Sequence, residues 1–162
     1  MKKKIGISVL FLAIIISGVY FFIKFNPPLE IGTIASSGDN KSVVIGVGNK
    51  GFREVSILDV SVNNGEKPMK TKLQVSNALQ GFIIMNDDNE EKARKFGFTD
   101  IGKVTIKTGT SPSSNSEKLG NGTATKKDEI YGVSVFNNEE VKKVYIKYSY
   151  LGISFSETVT FN

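Results

Sequence analysis

The densest cluster of groups able to do chemistry is Asp87-Asp88-Asn89-Glu90-Glu91. Carboxylate oxygens crowded in this way are the ligands Ca²⁺ prefers, so Asp87, Asp88, Glu90 and Glu91 are the candidate metal ligands. The spacing departs from the EF-hand loop, because no Asp-x-Asp-x-Asp-Gly is present. A helix start uses the same residues. Asp87 or Asp88 caps it, and Glu90 or Glu91 three residues later completes a capping box. Lys92, Arg94 and Lys95 then fall in the last turn, where cations suit the helix dipole, and Gly97 ends it. Capping is the preferred reading and Ca²⁺ binding the alternative.

Other chemistry is sparse. The chain has no cysteine, histidine or tryptophan. That removes most transition-metal sites, disulfides, and the commonest nucleophiles and general bases. Type I signal peptidases place their serine soon after the membrane in a Ser-Met-x-Pro context, whereas Ser36 and Ser37 here precede Gly38-Asp39. No Ser-x-x-Lys of the penicillin-binding type occurs. No carboxylate pair stands out for glycoside cleavage. Asn121-Gly122-Thr123 matches the glycosylation triplet and reads as a turn. Lys126-Lys127 and Lys142-Lys143 read as solvated faces. No catalytic residue, cofactor or nucleic-acid partner is expected, and the chain is read as non-enzymatic.

The elements that would present any site begin with the first 24 residues. Met1-Lys2-Lys3-Lys4 precede an apolar run from Ile5 to Ile23, broken only by Ser8 and Ser17 among polar residues, and Lys24 closes it. At about 1.5 Å per residue such a helix spans roughly 28 Å, close to a bilayer's hydrocarbon core. Lysines concentrated before the run place the N-terminus in the cytoplasm and the rest outside. The run is longer than the core of a cleaved secretory signal, and no small-x-small cleavage site follows it. An uncleaved signal anchor is therefore expected. A pilin-like subunit, with a short basic leader and Gly6, is a minor alternative. Phe11 stands where pilins carry glutamate, and Pro27-Pro28 stops the helix.

Charge follows this division. Formal net charge is +5, of which Lys2, Lys3, Lys4 and Lys24 hold +4. Residues 25–162 keep 17 of the 21 basic residues and all 16 acidic ones. The basic character thus belongs to the anchor and carries no nucleic-acid signal.

Beyond the anchor the pattern is β. Ile31–Ile34 forms a first short strand, followed by a turn around Ser36–Asn40. Val43, Ile45 and Val47 alternate, and Gly48–Gly51 is turn chemistry. From Arg53 to Val62 the apolar phase switches from odd (Val55, Ile57) to even (Leu58, Val60, Val62), which requires a β-bulge or a change of exposure near Ile57-Leu58. Further strands are expected at 69–75, 80–86, 102–108, 129–136, 141–150 and 152–161, the last two forming a hairpin through Leu151-Gly152. Thr108 to Asp128 reads as a long mobile loop.

The expected organisation is a cytoplasmic N-terminus (1–4), a transmembrane helix (5–24), a juxtamembrane segment with the first short strand (25–41), and an extracytoplasmic β-sandwich (42–162). The run Val43-x-Ile45-x-Val47-x-Asn49-x-Gly51 with Val55-x-Ile57 and Val60-x-Val62 resembles the opening strands of bacterial immunoglobulin-like domains in envelope proteins. The whole chain resembles small single-pass envelope proteins of Gram-positive bacteria. The resemblance implies an all-β, immunoglobulin-like antiparallel sandwich. The expected role is a binding or assembly module for another envelope component, contacted through 108–128 and 86–98. The alternative is a sensor domain for Ca²⁺ or a cell-wall ligand.

Overall fold

The computed structural model describes residues 2–85 and 96–161. The capped helix and the Ca²⁺ candidates Asp87, Asp88, Glu90 and Glu91 lie outside the described residues.

Helix α1 (Lys2–Phe25) contains a 20-residue segment, Gly6–Phe25, with mean hydropathy 2.5, long and apolar enough to cross a membrane. Asn26 closes it. Its backbone N–H bonds the Phe22 carbonyl at 3.1 Å, and its side-chain Nδ2 donates to the same oxygen at 2.8 Å. Pro27 and Pro28 then prevent continuation.

The rest is mostly β, in two antiparallel sheets. The larger contains β1 (Leu29–Ser36), β2 (Ser42–Asn49), β6 (Glu129–Phe136), β4 (Lys70–Asn77) and the two-residue β5 (Phe98–Thr99), in that spatial order. The smaller contains β3 (Ser56–Val62), β7 (Lys143–Tyr150) and β8 (Ile153–Thr160). Their inner faces meet in one core. Val43, Ile45, Val47, Leu73, Tyr131 and Val133 come from the larger sheet; Ile57, Val62, Val144, Ile146 and Tyr148 from the smaller. Each is essentially inaccessible to water, and full burial of one aliphatic side chain stabilises by about 1.5–3 kcal/mol.

The phase switch in β3 is resolved as expected. Its register against β7 shifts between Ile57 and Asp59. The extra residue lets Ile57 and Val60 both face the core, while Leu58 is half exposed. The β7–β8 hairpin turns through Leu151 (φ 52°) and Gly152 (φ 76°), the paired left-handed conformations of a two-residue hairpin turn.

Three expectations need correction. Residues 81–85 are not a strand; the segment crosses the outer face of the larger sheet. Residues 102–108 make only single bridges, Ile106 to Val55 and Thr108 to Asn49. Left-handed glycines at 102 (φ 83°) and 109 (φ 71°) bend the chain at both ends, so its apolar alternation never becomes a ladder. The presumed loop 108–128 contains a helix, α2 (Pro112–Gly120). Ser111 caps it by accepting from the Ser114 N–H at 3.3 Å, and Pro112 fills the first turn, where its missing N–H costs nothing.

Candidate functional site

A cleft of about 580 Å³ lies on the outer face of the larger sheet. The pleat explains its floor. Gly46 pairs with Gly132, and Gly132 with Gln74, so these positions share one face, opposite to the core-facing Val47, Tyr131 and Leu73. With Gly32 and Gly48 they leave much of β1, β2 and β6 bare of side chains on that side.

Two residues from separate segments use that bareness. Pro112, at the start of α2, lies over Gly32 and Gly48: a Cβ on Gly32 would sit 2.5 Å from Pro112 Cβ. A Cβ on Gly48 would sit 2.1 Å from the Thr110 carbonyl oxygen. Phe82 lies over Gly46 and Gly132, its ring 3.2 and 3.0 Å from where their Cβ atoms would stand. The cleft is the space between these two walls, lined also by Ala35, Val44, Ile84, Leu119 and Ile130. Because both faces of β2 are thereby covered, all eight of its residues are buried.

Polar contacts fix the α2 wall. Glu30 on β1 accepts from the Ser113 N–H at 2.9 Å and its hydroxyl at 3.2 Å, placing a carboxylate at the positive end of α2. At the other end Lys118 pairs with Asp128 at 2.6 Å. Asp128 also accepts from the Thr125 N–H and hydroxyl, and these bonds, Lys118 first, hold its carboxyl down to about 2. Below the wall, Glu129 receives the Lys107 ammonium at 2.8 Å and the Tyr131 hydroxyl at 2.6 Å. The lysine and tyrosine bonds lower the Glu129 carboxyl, and burial raises the Tyr131 phenol.

The junction of wall and sheet is organised by Asn49, which is fully buried. Its Nδ2 donates to the Arg53 carbonyl at 2.7 Å and the Ile106 carbonyl at 3.1 Å, and its Oδ1 accepts from the Gly51 N–H at 2.8 Å. Its backbone N–H reaches Thr110 Oγ1 at 3.2 Å. One side chain thereby ties the end of β2 to the segments entering β3 and α2. Under the Phe82 segment, Gln74 accepts from the Ile83 N–H at 3.3 Å. Gln74 Nε2 and Ser134 Oγ, buried on the same face, have no hydrogen-bond partner among the described residues.

Chemically, the cleft offers an apolar surface with few polar groups. Its hydroxyls at Thr110, Ser111 and Ser113 are engaged in turns and caps. Among the described residues, no group of three or more Asp or Glu residues could hold a metal ion. The volume falls within the roughly 300–1,000 Å³ of small-molecule sites, and the apolar lining with a few fixed polar groups is what such sites use. Of the two expected contact regions, 108–128 supplies the α2 wall, while most of 86–98 lies outside the described residues. Sequence reading passed over Gly32, Gly46 and Gly132, and it took Gly48 and Asn49 for turn residues, whereas both pair with β1 at the end of β2 and the turn starts after them. The available signal was Gly46-x-Gly48 inside an apolar alternation, because glycine within a strand marks close approach of another segment.

No family model matches the chain, and neither the curated proteins nor the solved structures contain a match.

Proposed function

We propose that this chain is a single-pass membrane protein, N-terminus inside, that presents an immunoglobulin-like domain outside the cell as a non-enzymatic binding module for another envelope component. The observation that carries the binding role is the cleft between Pro112 and Phe82: four glycines let a helix and a loop seat closely on the sheet as its two walls. The anchor reading is supported by the 20-residue apolar segment and by the lysines preceding it. Strand order supports the immunoglobulin-like reading. Lettered in chain order with the short β5 omitted, the sheets run A-B-E-D and C-F-G, the arrangement of constant-type immunoglobulin domains.

Membrane confinement raises the effective concentration of the cleft toward partners in or near the same membrane without new contacts. The lining selects a ligand with an apolar body and few polar groups, such as an exposed side-chain cluster of a neighbouring protein.

The test is affinity capture after in-cell crosslinking with the full chain, L119R and L58R. Both leucines are about half exposed, and only Leu119 lines the cleft. Recovery of one envelope component with the unaltered chain and L58R, lost with L119R, is the expected result. Equal recovery from all three overturns the assignment of the cleft.

A further inference from the structure

The helix and the domain are joined by more than the chain. Ile23 belongs to the core cluster. Lys24 Nζ donates to the Ser154 carbonyl at 3.2 Å and stands 5.0 Å from the Phe155 ring centroid. The Lys50 N–H bonds the Pro28 carbonyl at 3.0 Å. These contacts gather at one end of the sheets, where β7 turns into β8 and β2 ends. The opposite end holds Ser42, Lys70 and Phe136, which are register partners.

Two large apolar side chains stand exposed at the helix end: Phe52 at 70% and Leu151 at 46%. Each is at odds with a surface loop. Phe52 is held in place, its N–H bonded to the Tyr150 hydroxyl at 3.1 Å and its ring edge-on to Tyr150 at 5.8 Å. Leu151 occupies a left-handed turn position (φ 52°) where glycine, asparagine or aspartate is favoured. Exposed Lys50 and Arg53 flank Phe52 on the same loop. Neither apolar residue belongs to the core cluster.

We propose that this end of the domain is a lipid-contacting surface, with Phe52 and Leu151 entering the interfacial layer of the bilayer that α1 crosses, and Lys50 and Arg53 meeting its phosphates. The inference rests on the reading of α1 as a membrane span. The occupant is fixed by continuity: Lys24 marks the end of the apolar helix, and it touches β8 at Ser154, three residues from Leu151. A surface joined in this way to the end of a spanning helix lies within reach of the headgroups, which extend several ångströms beyond the hydrocarbon. Apolar side chains flanked by cations are what such a layer accepts. The consequence is a domain held in one orientation, resting on the membrane.

The chain has no tryptophan, so single-tryptophan variants report without background. The full-length protein is reconstituted in phosphatidylcholine–phosphatidylglycerol vesicles with or without lipids brominated near the headgroup. F52W and L151W are expected to lose most of their emission to the bromines and to emit at shorter wavelength than M69W, which lies at the far end and stays unquenched. F21W, within α1, is the anchor control. Quenching of F21W without quenching of F52W or L151W overturns the lipid surface and leaves the anchor standing. Absence of quenching in all variants overturns the anchor reading and this inference together.

Discussion

The Phe82 ring occupies the space that a side chain on Gly132 would need: a Cβ there would stand 3.0 Å from two ring carbons and 3.0 Å from Val44 Cγ2. The loop wall of the cleft therefore depends on an absent side chain, on a strand 50 residues later in the chain.

Gly132→Ala tests that dependence. An added methyl usually stabilises a strand through lower unfolded-state entropy. Here the clash wins, because Val44 sits on a strand paired on both sides. We expect a loss of about 1–3 kcal/mol in denaturant unfolding. F82A combined with G132A should cost less than the sum of the two single changes, since they share one contact.

Asn49→Ala removes three hydrogen bonds inside the protein at once. The Arg53 and Ile106 carbonyls lose their side-chain donor, and the Gly51 N–H loses its acceptor. The Ile106 carbonyl keeps the Val55 N–H as a donor, and the Arg53 and Gly51 groups lie nearer solvent, so a loss of about 1–3 kcal/mol is expected from urea unfolding. A change comparable to an exposed-site substitution would show that Asn49 does not hold the junction.

Acid should loosen the α2 wall. Asp128 is held down to about 2 in the folded state by Lys118 and Thr125, against about 3.9 for an unperturbed aspartate. A lowered folded value means that the stabilisation is complete above the unfolded pKa and is lost as pH falls from about 5 toward 2. Asp100, also held down to about 2 by Lys103 and Lys72, acts in the same window. Thermal melts of D128N should show a shallower fall across this range than the unaltered protein. An identical slope would remove Asp128 from the account.

Leu151→Asn should raise domain stability by about 1 kcal/mol, because asparagine tolerates the left-handed turn position. The same change should weaken bilayer contact. Stability is read by thermal unfolding in detergent and contact by lipid quenching from F52W in the same background. A loss of stability would mean that Leu151 serves the fold.

Features set by neighbouring residues were legible from sequence. The phase switch at Ile57-Leu58 required a bulge, and the register shifts there. Leu151-Gly152 marked its turn, and Asn26-Pro27-Pro28 ended α1. Features set by distant partners were not. Val104 and Ile106 alternate like a strand, but no neighbouring strand extends a ladder to them. Ser111-Pro112 carried a cap and a first-turn proline, yet Pro112–Gly120 is short and serine-rich, and its helix is fixed by Glu30 and Asp128 at its two ends. Gly46-x-Gly48 marked a close approach without naming what approaches, because Gly46, Phe82 and Gly132 meet only through tertiary packing.

An N-in anchor that displays the cleft outside the cell makes residues on its two sides differ in access from the medium. The chain is free of cysteine, so single cysteines report cleanly. Ser116, exposed on α2 and lining the cleft, and Lys3, before the apolar run, are each replaced by cysteine in the full chain. Intact cells are treated with a membrane-impermeant maleimide. The account predicts labelling of S116C on intact cells and of K3C only after permeabilisation. Labelling of K3C with protection of S116C, or protection of both until the cells are opened, would contradict it.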